Sequence, residues 1–218
     1  MNIDKLLKAY FSENGNNIII EVFDDENIYS VYSDVVKALE LHANIELGVL
    51  QALSYCFYEI LDNVLTHSKK TCGTTIICYD ENCHCIKILV ADDGIGIRAS
   101  LSENKDYADI SEADALSACI KDHVTDGKGM GFGLYSTSML IDNAGVSFMI
   151  HSGNTAMQYI NGNTLTTIVP NWQGTIVYFE LKSDVDMQPN EILGNRVDAE
   201  SEYNDQFIET DDNIDNLW

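Results

Sequence analysis

Positive charge is scarce in this chain. Its 218 residues carry 12 Lys and Arg against 35 Asp and Glu, a formal net charge of -23. Such a surface repels nucleic acid and anionic membranes, so neither is expected as a partner. Long apolar runs are missing as well: nowhere do 18 apolar residues follow one another, and the N-terminus lacks a stretch of signal-peptide length. The expectation is a cytoplasmic protein without a membrane span. Proline is almost absent, with only Pro170 and Pro189. The six cysteines follow no zinc-finger or zinc-ribbon spacing, although Cys72, Cys78, Cys83 and Cys85 cluster around one expected hairpin. In a reducing compartment they read as free thiols, buried or half-buried in strands.

What remains is an ordinary globular composition, 45% hydrophobic and 22% charged, with length for one good core. The acid is spread unevenly. Eleven Asp and Glu follow Lys182 against Arg196 alone, so that tail carries -10 and leaves -13 for the first 182 residues. Hydrophobic periodicity divides the chain into three parts. Residues 1–44 form an N-terminal extension, with helices over 3–11 and 29–42 and a strand over 17–23. Residues 45–182 hold a long helix (45–67), a strand pair (74–79 and 84–91), and a polar segment over 98–128. That segment contains one helix (111–121) with Ser111 as its cap. A helix over 134–143, stopped by Gly145, and four strands (146–151, 157–160, 164–169 and 175–181) complete the unit. Residues 183–218 lack clustered apolar side chains and are expected to be disordered, so truncation after Lys182 should leave a folded core.

The chemistry begins on the long helix. Glu59, Asn63 and His67 lie four apart and share one face, while Ile60, Leu61, Val64 and Leu65 form an apolar stripe for a sheet. An acid and an amide on a buried helix cost a few kcal/mol without partners, which points to a cleft holding a ligand. A metal-bound nucleotide suits them: an Asn oxygen coordinates Mg2+, and a Glu orients or deprotonates a nucleophile. His67, followed by Ser68 and two lysines, reads more simply as a partner of the helix C-terminal dipole.

Two glycine-rich stretches follow. Asp92-Asp93-Gly94-Ile95-Gly96 puts a carboxylate at a strand end, able to accept from the exocyclic amine of adenine, with glycines that admit a close base and sugar. By itself it also reads as a surface turn. Gly127-Lys128-Gly129-Met130-Gly131-Phe132-Gly133 leads into a helix, where free N–H groups and the dipole favour phosphate and Lys128 adds a point charge. It is not a Walker loop, since Gly129 stands where Ser or Thr is needed. Nor is it a dinucleotide fingerprint, which needs glycine in place of Leu134. A ligand-free hinge is the plain alternative.

In this order, the Glu59–Asn63, Asp92–Gly96 and Gly129–Leu134 stretches resemble the N, G1 and G2 boxes of the GHKL ATPase superfamily of gyrase, heat-shock chaperone, histidine kinase and mismatch-repair ATPase domains. The resemblance covers residues 45–181, with Gly174-Thr175 opening the closing strand. It implies the Bergerat fold, a two-layer α/β sandwich with a mixed sheet and helices on one face. It also implies ATP with Mg2+. Asn63 would hold the metal, Glu59 would act as acid/base, and Asp92 would hold adenine. Gly94 and Gly96 would shape the base pocket, and Gly129, Gly131 and Gly133 would wrap the phosphates beside Lys128 and Leu134, with Thr175 also at the nucleotide. Residues 98–128 would form the ATP lid.

Within that superfamily His42 lacks the acidic neighbour and nearby proline of a phosphoacceptor, and the acidic tail of 36 residues over 183–218 makes no transducer domain. The chain is therefore most similar to stand-alone anti-sigma-factor serine kinases, which act on a partner protein. The expectation is an ATPase or protein kinase in a regulatory system. The alternative is an ATP-gated binding module with slow or no hydrolysis. Residues 1–44 are open to a homodimer contact or a partner surface.

Overall fold

The computed structural model describes residues 2–11, 18–128, 133–160 and 162–188. Its central element is α3 (Leu47–His67), apolar on nearly every side up to Val64 because it is packed on nearly every side. The helix α2 (Ile28–His42) lies along it, α6 (Gly133–Ala144) packs against it, and the sheet lies beneath. No helix among the described residues is long and apolar enough to cross a membrane.

Five strands form the sheet in the order β1-β2-β3-β5-β4: β1 (Ile18–Asp24), β2 (Cys72–Asp80), β3 (Cys85–Ala91), β4 (Gly145–Ile160) and β5 (Asn163–Lys182). Side chains alternate across it as pleating requires. Ile77, Ile88, Val90, Val177 and Phe179 point into the helical layer. Ile76, Leu89, Ala91, Ile176 and Tyr178 point away from it. The two-layer α/β sandwich is thus present, with two departures from the expectation.

First, all four strand pairings are antiparallel rather than mixed. Two helices, not one, separate β1 from β2, so the chain re-enters the sheet in the reverse direction. The crossover from β3 to β4 does set those strands parallel, but β5 inserts between them. Second, helices do not occupy one face alone. The short α1 (Ile3–Tyr10) covers the far face with Leu6, supported by Phe11 and by Tyr10, whose ring lies 5.2 Å from that of Tyr178. Its N-cap Asn2 accepts from the Lys5 N–H at 3.0 Å. Of the N-terminal extension, α1 and α2 pack on the two faces of the sheet and β1 is one of its edge strands, so these elements are built into the core.

The four strands expected after residue 145 are two. Polar residues 152–154 become a bulge in β4, with register shifts around Gly153, rather than a turn. Pro170 is tolerated in β5 because only β4 pairs that stretch, leaving one edge without a need for an N–H donor. Gly145 passes α6 directly into β4, and a Cβ there would collide with the Ile141 carbonyl.

The chain beyond Lys182 also departs from the expected tail. Ser183 donates its N–H to the His84 carbonyl at 2.9 Å and accepts from Glu46 at 2.8 Å. Met187 is 6% exposed and belongs to the helical core, its carbonyl where a Cβ on Gly48 would fall. Residues 189–218 lie outside the described residues. Truncation after Lys182 removes a core methionine and is expected to cost about 2–5 kcal/mol. A chain ending at Gln188 should melt measurably higher than one ending at Lys182; equal melting temperatures would show that Met187 contributes nothing.

Candidate functional site

A cavity of about 430 Å³ opens between α3, the ends of β3 and β5, the 98–128 segment and the start of α6. Glu59, Asn63, Asp92, Gly96, Lys128, Gly133, Leu134 and Thr175 all line it. Gly129 and Gly131 lie outside the described residues. Gly94 does not line it and serves the wall instead.

Helical spacing puts Glu59 and Asn63 on one side of α3, both half-buried. The start of α6 comes against them. A Cβ on Gly133 would stand 3.0 Å from Asn63 Nδ2 and 3.0 Å from Glu59 Oε2. Glycine at this position lets a helix N-terminus, with its first-turn N–H groups, share a wall with an acid and an amide.

Asp92 stands elsewhere on the lining, and the two adjacent aspartates are not equivalent. Asp92 is 3% exposed, while the Asp93 side chain turns outward to Lys70 at 3.4 Å. The backbone of Asp92 is held at both ends: its N–H donates to the Thr175 carbonyl at 2.9 Å, and the Asp92 carbonyl accepts from Trp172 Nε1 at 3.0 Å. Its carboxylate accepts from the Gly94 N–H at 2.7 Å. Burial pushes the carboxyl up to about 6 despite the Gly94 and Thr175 N–H groups, which favour the charged form.

The turn after Asp92 is fixed by the end of α3. Lys69 adopts a left-handed φ of 62°, ending the helix and presenting the carbonyl of Ser68, which accepts from the Ile95 N–H at 3.0 Å. A Cβ on Gly94 would strike that carbonyl. At Gly96, φ is 79° and a Cβ would fall 2.5 Å from Ser152 Oγ, a hydroxyl that accepts from Ile97 and donates to Gly174. The fit demanded at both glycines thus comes from the protein itself.

The 98–128 segment is more ordered than its composition suggests. It holds α4 (Ile97–Leu101), a 3-10 turn (Lys105–Tyr107) and α5 (Glu112–Ala118), capped as expected by Ser111. Glu112 ties α5 to the β4 bulge through Thr155 Oγ1 at 3.1 Å. Sequence reasoning passed over Asp126, which organises the cavity end of this segment. His67 Nδ1 lies 2.7 Å from Asp126 Oδ2, and Ser100 Oγ donates to the same oxygen at 2.9 Å. Burial works to raise the Asp126 carboxyl, but His67, the Lys128 N–H and Ser100 together bring it down to about 2. Lys128 sits 2.9 Å from Glu103 and 3.4 Å from Asp126, and Lys69 also pairs with Glu103. His67 therefore answers to a carboxylate 59 residues away, not only to its helix dipole. No local signal could have revealed that pairing.

A family model described as histidine kinase-, DNA gyrase B-, and HSP90-like ATPase matches residues 48–184. The chain belongs to this ATPase family. The match covers nearly all of α3, the cavity lining, the 98–128 segment and both long strands, so the unit that carries the cavity is a GHKL ATP-binding module. No curated protein matches the chain.

The two buried carboxylates should respond to pH in opposite senses. Folding raises Asp92 from 3.8 to about 6, so the folded protein binds that proton more tightly and loses stability as pH rises from about 4 through 6. In the nucleotide-free protein, Asp92→Asn should therefore stabilise by up to about 3 kcal/mol at neutral pH, with the gain vanishing below about pH 4. Denaturant melts across pH check it. Asp126 contributes the reverse: its stabilisation is present above the unfolded value and is lost as pH falls toward 2. Asp126→Asn should cost about 1–3 kcal/mol and speed amide exchange across residues 98–128. Unchanged exchange there would remove Asp126 as the tie between that segment and α3.

Proposed function

We propose that this chain binds Mg-ATP in the cavity and turns over its terminal phosphate, as an ATPase or serine/threonine kinase acting on a partner protein in a regulatory system. One observation carries the reading: Glu59, Asn63 and the α6 N-terminus meet at one wall of the cavity that Asp92 also lines. Asp92 accepts from the adenine amine; the buried carboxylate rejects guanine, which presents an oxygen there. Glu59 is the base, taking a proton from water or from a partner hydroxyl as it attacks. Gly133 and Leu134, opening α6, offer N–H groups to phosphate.

The donor set also fits Mg2+, since a hard cation takes an amide oxygen and carboxylates readily. Asn63 would hold it. When bound it neutralises phosphate charge and polarises the phosphoryl group. The rest of the field is acidic, so the cations near the mouth matter. Lys128 and Lys69 are both engaged by Glu103. Phosphate that draws Lys128 away would loosen the 98–128 segment from its present pairing, the behaviour of an ATP lid. This charge exchange supports the second reading, an ATP-gated binding module with slow hydrolysis. We place the partner surface among the first 44 residues, where edge strand β1 leaves Ile18, Ile20 and Val22 exposed.

The test is γ-labelled Mg-ATP with purified protein, with and without extract from its own cells, following label on protein and as free phosphate. Label on a second protein is expected of a kinase, and free phosphate alone of an ATPase. Neither, with binding intact, selects the ATP-gated module. Glu59→Ala should keep Mg-ATP binding and abolish turnover. Asp92→Asn should weaken binding at least tenfold, and wild-type affinity should fall as pH drops through about 6. Full affinity in Asp92→Asn would defeat the adenine assignment.

A further inference from the structure

At the strand ends opposite the ATP cavity, the β2–β3 turn gathers a second group of reactive side chains. His84 takes a left-handed φ of 51° between Cys83 and Cys85, folding two cysteines of one short turn toward each other. The sheet supplies the third member. Cys85 faces Lys182 across the β3–β5 pair, and Glu180 faces Lys87, so Glu180 stands diagonally from Cys85 on the same face. The two sulfurs and a Glu180 carboxylate oxygen all lie within 4.8 Å of one another.

We propose that Cys83, Cys85 and Glu180 form a binding site for a thiophilic divalent cation of the zinc class. Two thiolates and one carboxylate suit a borderline-soft ion far better than Mg2+ or Ca2+, which take oxygen sets. Bonds of about 2.3 Å to sulfur and 2.0–2.2 Å to oxygen require these atoms to draw together by roughly 1 Å, a side-chain adjustment. The charge also balances. Two thiolates and a carboxylate around a dication leave one negative charge, and Lys182 stands beside them, its Nζ donating to the Cys83 carbonyl at 2.7 Å.

The neighbours are arranged for such a site. Tyr178 O–H donates to Glu180 Oε2 at 3.4 Å and orients the carboxylate. His84 is turned the other way, with Nδ1 3.4 Å from the Tyr79 hydroxyl, and is not a ligand. Cys83 and Glu180 are half-buried, which leaves the fourth position to solvent. A bound ion would fasten the β2–β3 turn to β5, stiffening the same pair of strands, β3 leading into Asp92 and β5 carrying Thr175. This inference rests on different residues from the nucleotide reading, and either stands without the other.

The experiment uses the full chain, reduced and stripped of metal, without nucleotide, titrated with Zn2+ against a chromophoric chelator. One tight Zn2+ per chain is expected, with two sulfur neighbours in X-ray absorption. Cys83→Ser and Glu180→Gln, each at a half-buried position, should weaken binding at least tenfold while circular dichroism stays unchanged. Cys72→Ser, at the exposed far end of β2, should leave it intact. Bound Zn2+ should also shield Cys83 and Cys85, but not Cys72, from alkylation. Absence of binding, binding unchanged in Cys83→Ser and Glu180→Gln, or a coordination shell without two sulfurs would each overturn the proposal.

Discussion

Keeping the Asp92 carboxylate in place inside the protein is the constraint on which the cavity depends. A carboxyl that is 3% exposed must be held by backbone rather than by water. The Gly94 N–H and the β3–β5 pairing do this. Gly174, at φ 97°, completes the fit, because a Cβ there would run into the Asp92 carbonyl. Ser68 at the end of α3 and Ser152 at the β4 bulge then accept from the N–H groups of Ile95 and Ile97, which follow the two glycines of the turn. One buried acid thus links a helix end, a bulge and two strands.

The second organising feature is the distribution of the few cations. In a chain of charge -23, Lys69 and Lys70 just past α3 and Lys128 on the cavity lining are each matched by a carboxylate. Exposed pairs of this kind contribute little to stability, but their partners can be exchanged at little cost. The buried Asp126 differs. It is held by His67 and Ser100 together, so it is a tie between α3 and the 98–128 segment rather than a surface pair. An anionic ligand entering there would meet cations that are already engaged.

The pleat of the sheet serves two ends. Near residues 91 and 175, β3 and β5 present a wall of the cavity, and near residues 85 and 180 they bring thiols beside a carboxylate. The insertion of β5 between β3 and β4 creates both. Without that order Glu180 would not stand next to Cys85, nor Thr175 next to Asp92.

The local features of the site were legible from the chain itself. Glu59 and Asn63 share a helix face because 3.6-residue periodicity demands it, and the glycines after Asp92 announce a turn that few other residues can make. The long helices, the β2–β3 pair and the Ser111 cap follow from the same short-range rules. What sequence could not supply was long-range pairing. Which of Asp92 and Asp93 is buried depends on the position of β5, and the role of Asp126 depends on a histidine 59 residues earlier. The antiparallel sheet, α1 on its far face and Met187 in the core depend on how whole elements are threaded. Periodicity determines which face of an element is apolar, but not which other element covers it; only packing of the complete chain decides that.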